Sequence, residues 1–146
     1  MTYILDTNVL LLNAHNLYTV GNKDDTIVIP ETVLDEVDSK KSGLGEIAYQ
    51  AREFGRLITA AEYIAQVHKD NTIYINYLVH DRNIVIVALD KYPSYAGMEK
   101  NVLNDRKIIE CALEYQRAVQ PGEEVVFMTN DIACGIRAQS LGLEST

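Results

Sequence analysis

Four acidic residues, Asp6, Glu36, Asp105 and Asp131, stand where a carboxylate needs a reason. Asp6 closes the short apolar run Tyr3-Ile4-Leu5, and Asp131 follows the run Val125–Met128 by way of Thr129-Asn130. Both runs read as buried strands, and in open parallel sheets ligands gather beyond the carboxyl ends of the strands. Asp105 shares a helical stripe with Ile108, Ile109 and Ala112. A carboxylate on a buried stripe must be paired, hydrogen-bonded or bound to a metal, because isolation there is costly. The plainer alternative makes Asp105, or Asn104 beside it, the cap of that helix. Glu36 lies on the edge of a stripe centred on Val33, Leu34 and Val37, at about 100° per residue; taken alone it equally suits a solvated helix surface. Asp35 points away, and Asp38 on the opposite edge could stand behind the other acids.

Four carboxylates from four separated segments, gathered at one sheet edge, suit a hard divalent cation such as Mg²⁺ or Mn²⁺. Their mutual repulsion favours uptake of the ion, and the chemistry implied is attack of a metal-activated water on a phosphodiester. Thr7, Asn8, Asn104, Thr129 and Asn130 could orient water or phosphate there. They equally suit turns and caps, which is the simpler role for Thr7. Lys40, Lys41, Arg52, Arg56, Arg106, Lys107 and Arg137 could grip substrate phosphates; Arg106 and Lys107, next to Asp105, are the first candidates, and the others more often are plain helix-surface charges.

The elements that must position these residues alternate between strand and helix. Tyr3–Leu5 leads through Asp6-Thr7-Asn8 into a helix over about Val9–His15. Thr26–Ile29 is β-branched and stopped by Pro30, which suits the start of a helix over Glu31–Lys40. Ser42, Gly43 and Gly45 break that helix. Ile47, Ala51, Phe54, Leu57, Ile58, Ala61 and Ile64 keep helical spacing, which predicts a long amphipathic helix from Glu46 to Val67. Thr72–Val79 and Ile84–Leu89 read as a hairpin or neighbouring strands around His80-Asp81-Arg82-Asn83, and Lys91–Lys100 as an irregular loop. Helix follows from Val102 to Ala118, then the strand Val125–Met128 and a helix reaching Ser140. This alternation argues for an α/β sheet, largely parallel, with helices on both faces. A further strand is expected after the last helix, which suggests a domain cut from a longer protein.

Composition narrows the class without choosing the chemistry. The 146 residues, 47% of them hydrophobic, suit one globular domain. Thirteen basic and 21 acidic residues give a net charge of −8, the wrong sign for nonspecific attraction to phosphates. A site that collects carboxylates for a cation accounts for part of that excess. Cys111 and Cys134 lack metal-ligand spacing and read as small buried hydrophobes of a reducing compartment. His15, His68 and His80 stand singly, without a second ligand at useful spacing. Tyr74, Tyr77, Tyr92 and Tyr95 cluster in the middle segment, where packing explains them better than base stacking. No secretory signal or membrane-length apolar run is present, so a cytoplasmic protein with no membrane partner is expected.

Tyr3-Ile4-Leu5-Asp6-Thr7-Asn8-Val9-Leu10 resembles the opening of a PIN domain. Ile29-Pro30-Glu31-Thr32-Val33-Leu34-Asp35-Glu36-Val37-Asp38 resembles its second acidic motif, Asn104-Asp105-Arg106-Lys107-Ile108-Ile109 the third, and Thr129-Asn130-Asp131-Ile132 the fourth. With Ile136-Arg137-Ala138 and Leu141-Gly142-Leu143, the pattern is most similar to the PIN domain found ahead of PhoH-type ATPase domains. The resemblance spans residues 1–143. It implies an α/β protein with a three-layer α/β/α PIN-like fold, a mostly parallel central sheet and an extra β-rich insertion around 72–90. It also implies that Asp6, Glu36, Asp105 and Asp131 bind Mg²⁺ or Mn²⁺ and cleave single-stranded RNA. A homodimer, and a fused or associated ATPase, helicase or antitoxin-like partner, follow from the same resemblance. Residues 72–100 are longer and more β-rich than the family pattern, and no ATPase segment follows within these residues.

Two alternatives share the motifs. One is a DNA nuclease of the flap-endonuclease type, for whose extra acids and arching segments 146 residues leave little room. The other is a noncatalytic, partner-regulated RNA-binding module. A haloacid-dehalogenase phosphatase is disfavoured, because Asp6-Thr7-Asn8 lacks that motif's second aspartate.

Overall fold

The computed structural model describes residues 1–146. In chain order the elements are β1 (Thr2–Leu5), α1 (Thr7–Leu12), α2 (Asn16–Thr19), β2 (Thr26–Pro30), α3 (Glu31–Asp38), α4 (Glu46–Thr59) and β3 (Glu62–Lys69). There follow β4 (Thr72–Val79), β5 (Arg82–Leu89), α5 (Lys100–Ala118), β6 (Val125–Met128), α6 (Ile132–Ser140) and β7 (Glu144–Ser145). One seven-stranded sheet runs in the order β3-β4-β5-β2-β1-β6-β7. The pairs β5·β2, β2·β1, β1·β6 and β6·β7 are parallel, whereas β3·β4 and β4·β5 are antiparallel.

The central strands are apolar throughout because both of their faces are covered, as a parallel sheet requires. Ile4, Leu5, Ile27, Val28, Ile29 and Phe127 are fully buried. The connection from β1 to β2 moves one way along the sheet and that from β5 to β6 moves the other. Right-handed crossovers therefore lay α1 on one face, with α3 and α4 packed against it, and α5 and α6 on the other. The direction changes between β1 and β6, and at such a point the loops beyond the carboxyl ends part to leave a crevice. Asp6 and Asp131 lie in those two loops.

Several boundaries depart from the sequence expectation. The helix expected over Glu46–Val67 ends at Thr59, and Glu62–Lys69 is an eight-residue edge strand. Ile64 and Val67 keep helical spacing with Ala61, so the periodicity misleads, and β3 buries neither face and shows no strand alternation. The β-rich extension thus begins ten residues earlier than 72, and β5 belongs to the parallel core through its pairing with β2. The β4–β5 hairpin turns through His80 and Asp81, both at positive φ, as a two-residue turn of the primed type demands. The first helix stops at Leu12, and Asn16–Thr19 forms a separate short turn. The strand expected after the last helix is present as β7, parallel to β6.

Candidate metal centre

Asp6 leaves β1 where its backbone N–H still reaches the Met128 carbonyl of β6 at 2.9 Å. The side chain is only 4% exposed and is held at both ends. Its Oδ1 accepts from the Thr7 N–H at 2.8 Å, which makes it the cap of α1, and its Oδ2 accepts from the Thr129 hydroxyl at 2.6 Å. The Thr129 Oγ1 in turn accepts from the Asp131 N–H at 3.0 Å, and Asp131 Oδ1 caps α6 through the Cys134 N–H at 3.1 Å. Asn8 Oδ1 accepts from the Asn130 N–H at 3.0 Å, lacing the β1 and β6 loops together.

Glu36 enters from α3. The Thr7 hydroxyl donates to its Oε1 at 2.6 Å and the Asn104 amide to its Oε2 at 3.3 Å. Thr7 is therefore more than a turn residue. Asp105 enters from α5, whose first helical residue is Lys100 and whose cap position is Glu99. The capping alternative for Asp105 and Asn104 is thereby excluded, since both sit inside the helix. The partner that Asp105 needed is Arg137 of α6, which donates to its Oδ2 at 2.9 Å. The sequence alone reads Arg137 as a helix-surface charge or a phosphate contact, not as a carboxylate's partner. A signal existed, because Arg137 falls three residues after Cys134 and one before Ala138, both of which are buried on the inner stripe of α6.

Electrostatics ties the four acids together. Burial raises the Asp6 carboxyl above its ordinary range against the pull of Thr129 and Thr7, and Glu36 and Asp131 add to the rise. Asp105 is pushed up to about 6, by burial first and then by Asp6, Asp131 and Glu36, with Arg137 opposing. Thr7 links Asp6 to Glu36, Asn104 beside Asp105 links Glu36 to α5, and Thr129 links Asp6 to Asp131, so the four segments meet in one region. No three of them are yet drawn in around a single point. Arg137 and the Cys134 N–H each occupy an oxygen that a cation would compete for. The donors are hard oxygens, carboxylate and hydroxyl, which is the set that Mg²⁺ or Mn²⁺ takes and a soft metal does not.

Other candidate residues fall elsewhere. Asp38 is exposed and pairs with Lys41 at 2.9 Å, away from the acids. Arg106 lies over the Tyr95 ring with Glu110 3.7 Å away, and Lys107 lies over the Tyr92 ring. Both basic side chains are thus directed to the 90–99 loop and not to the carboxylates. Tyr74 packs edge-on to Tyr115, and the Tyr92 hydroxyl meets Cys111 Sγ at 3.2 Å, in keeping with packing roles. Both cysteines are free and buried. No helix is long and apolar enough to cross a membrane.

The mostly parallel sheet covered by helices is a PIN-like fold, and the model of the PIN domain family matches residues 3–146. The chain belongs to that family. Among curated proteins it is similar to Protein PhoH2 of Bacillus subtilis (strain 168), 26% identical over 97% of this chain and 31% of that protein. The chain thus spans about a third of that relative's length. Among solved structures it resembles a domain of a functionally unknown protein from Methanocaldococcus jannaschii DSM 2661. There the TM-score is 0.55 and the identity 21%, over 99% of this chain and 89% of the other, a likeness of fold alone.

Proposed function

We propose that this chain is a divalent-metal-dependent endoribonuclease that hydrolyses single-stranded RNA. The observation that carries the reading is the hydrogen-bond chain through Thr7, Asn104 and Thr129 that links the segments of Asp6, Glu36, Asp105 and Asp131 at the crevice between β1 and β6. Two of these acids cap helices and Asp105 pairs with Arg137, but one guanidinium leaves a local excess of negative charge that a divalent cation would offset. Mg²⁺ or Mn²⁺, when bound, would supply the Lewis acidity that makes a water nucleophilic and neutralises the attacked phosphate. Asp6, Glu36, Asp105 and Asp131 would hold the ion. Thr129 fixes the rotamer of Asp6, and Thr7 and Asn104 fix that of Glu36, so that these oxygens are aimed before the substrate arrives. Arg137, once parted from Asp105, is a cation at the site able to meet a phosphate oxygen.

Residues 1–146 act in this reading as one nuclease domain. Similarity to PhoH2, much of which lies outside the matched region, supports a setting beside a fused or associated ATPase. The two buried thiols suit the reducing cytoplasm. The test is cleavage of labelled single-stranded RNA and single-stranded DNA, with Mn²⁺ or chelator, by the chain and by Asp105→Asn. Metal-dependent RNA cleavage lost in the variant is expected. Cleavage that survives in the variant would trace to a contaminant, and cleavage of DNA alone would favour the DNA-nuclease alternative.

A further inference from the structure

We infer that β3 is a self-association edge, along which a second copy of this chain continues the sheet. β3 ends the sheet, so the N–H and C=O groups along its outer side have no strand partner within one copy. All eight of its residues are exposed, including the large apolar side chains of Tyr63, Ile64 and Val67. Eight residues is long for an edge, and proteins usually blunt an unused edge with proline, inward charges or shortness. β3 has no proline, its charged residues, Glu62 and Lys69, lie at its two ends, and its bulge at Ile64 is off-centre.

The ladder positions of β3, with Ile64 bulged out, run Glu62, Tyr63, Ala65, Gln66, Val67, His68, Lys69. An antiparallel copy related by a two-fold axis must pair residues that point to the same face, which a centre at Gln66 satisfies. That register sets Glu62 opposite Lys69 of the second copy, and Lys69 opposite its Glu62. Tyr63 then faces His68, and Ala65 faces Val67, each pair occurring twice. The sequence of the edge is complementary to itself.

Behind this edge an apolar groove is lined by Ala65, Val67, Tyr74, Val85, Tyr115 and Val119. Asn76, also in the groove, has its Oδ1 buried without a hydrogen-bond partner. Ala65 and Val67 stand on the groove side, so the symmetric register brings the two grooves side by side across the axis. RNA is a poor occupant, because the edge is nearly neutral and the chain carries a net charge of −8. The axis is normal to the sheet, so the two acidic crevices open at opposite strand ends of the joined sheet, roughly 50 Å apart by strand spacing. Neither obstructs the other.

The test is sedimentation of the whole chain across a micromolar concentration series at low salt. A reversible dimer is expected. Glu62→Lys and Lys69→Glu, each placing like charges opposite one another twice, should each weaken it about tenfold, and the two together should restore it. Both sites are exposed, and matching melting curves show that the fold is retained. A monomer at every concentration overturns the proposal, as does a dimer indifferent to both single reversals. This proposal stands apart from the nuclease reading, since sedimentation requires neither metal nor substrate.

Discussion

Arg137 on α6 holds Asp105 on α5 at 2.9 Å, across 32 residues of sequence. The guanidinium is 35% exposed and the carboxylate 22%, so the pair lies at the mouth of the acidic crevice and not in the core. Arg137 is the one cation that opposes the combined push of Asp6, Asp131 and Glu36 on Asp105. It stands in this state where a divalent ion would do the same work.

Arg137→Gln is therefore expected to act in two directions. Without metal, the variant should be less stable by about 1 kcal/mol at neutral pH, as for a partly exposed ion pair beside like charges. With metal, Asp105 is released from competition, and the Mn²⁺ titration midpoint should fall. Thermal melts across a Mn²⁺ series read both effects, and an unchanged midpoint would show that the pair does not compete with the ion.

Asp105 sets a pH dependence. Its carboxyl titrates at about 6 in the fold against an ordinary 3.8, so the folded state binds the proton more tightly than the unfolded chain does. Its contribution to stability is full below 3.8 and is lost as pH rises through about 6. Metal-free protein should lose melting temperature over that window, and Asp105→Asn should lose less. Mn²⁺ protection, which needs the carboxylate ionised, should grow over the same window.

Asp6→Asn should separate stability from function. Because burial and neighbouring acids disfavour the Asp6 charge, the neutral amide is expected to leave the metal-free melting temperature unchanged or higher. It should also remove most of the rise that Mn²⁺ produces, along with RNA cleavage. A full metal-induced rise in this variant would move the ion to other residues.

Thr129→Val tests the aiming of Asp6. The variant loses both the 2.6 Å bond to Asp6 and the acceptor for the Asp131 N–H. A loss of about 1 kcal/mol in stability is expected, with Mn²⁺ binding weakened about tenfold. Thr129→Ser should recover most of the affinity, which a packing defect alone would not allow.

The strands β1, β2 and β6 were legible because each is a short apolar run closed by a turn or capping residue, and burial on both faces leaves no other assignment. Asp105 was legible because a carboxylate on an apolar stripe contradicts its surroundings. The Arg137 partner was not, since α5 and α6 come together only through the β6 crossover, and no local spacing encodes that meeting. The missed strand β3 is the opposite case. Its residues satisfy a helical period by continuing from α4, and an edge exposed on both faces carries no period of its own.

Met1 and Thr146 are both tied into the structure. The Met1 ammonium pairs with Glu123 at 3.0 Å and Asp25 at 3.5 Å. The Thr146 carbonyl accepts from the Thr129 N–H at 3.1 Å, one residue's width from the hydroxyl that aims Asp6. Removing residues 144–146 takes away that acceptor and unties Thr129 from behind. Preparations clipped after Leu143 should then bind metal more weakly with an unaltered set of acidic residues.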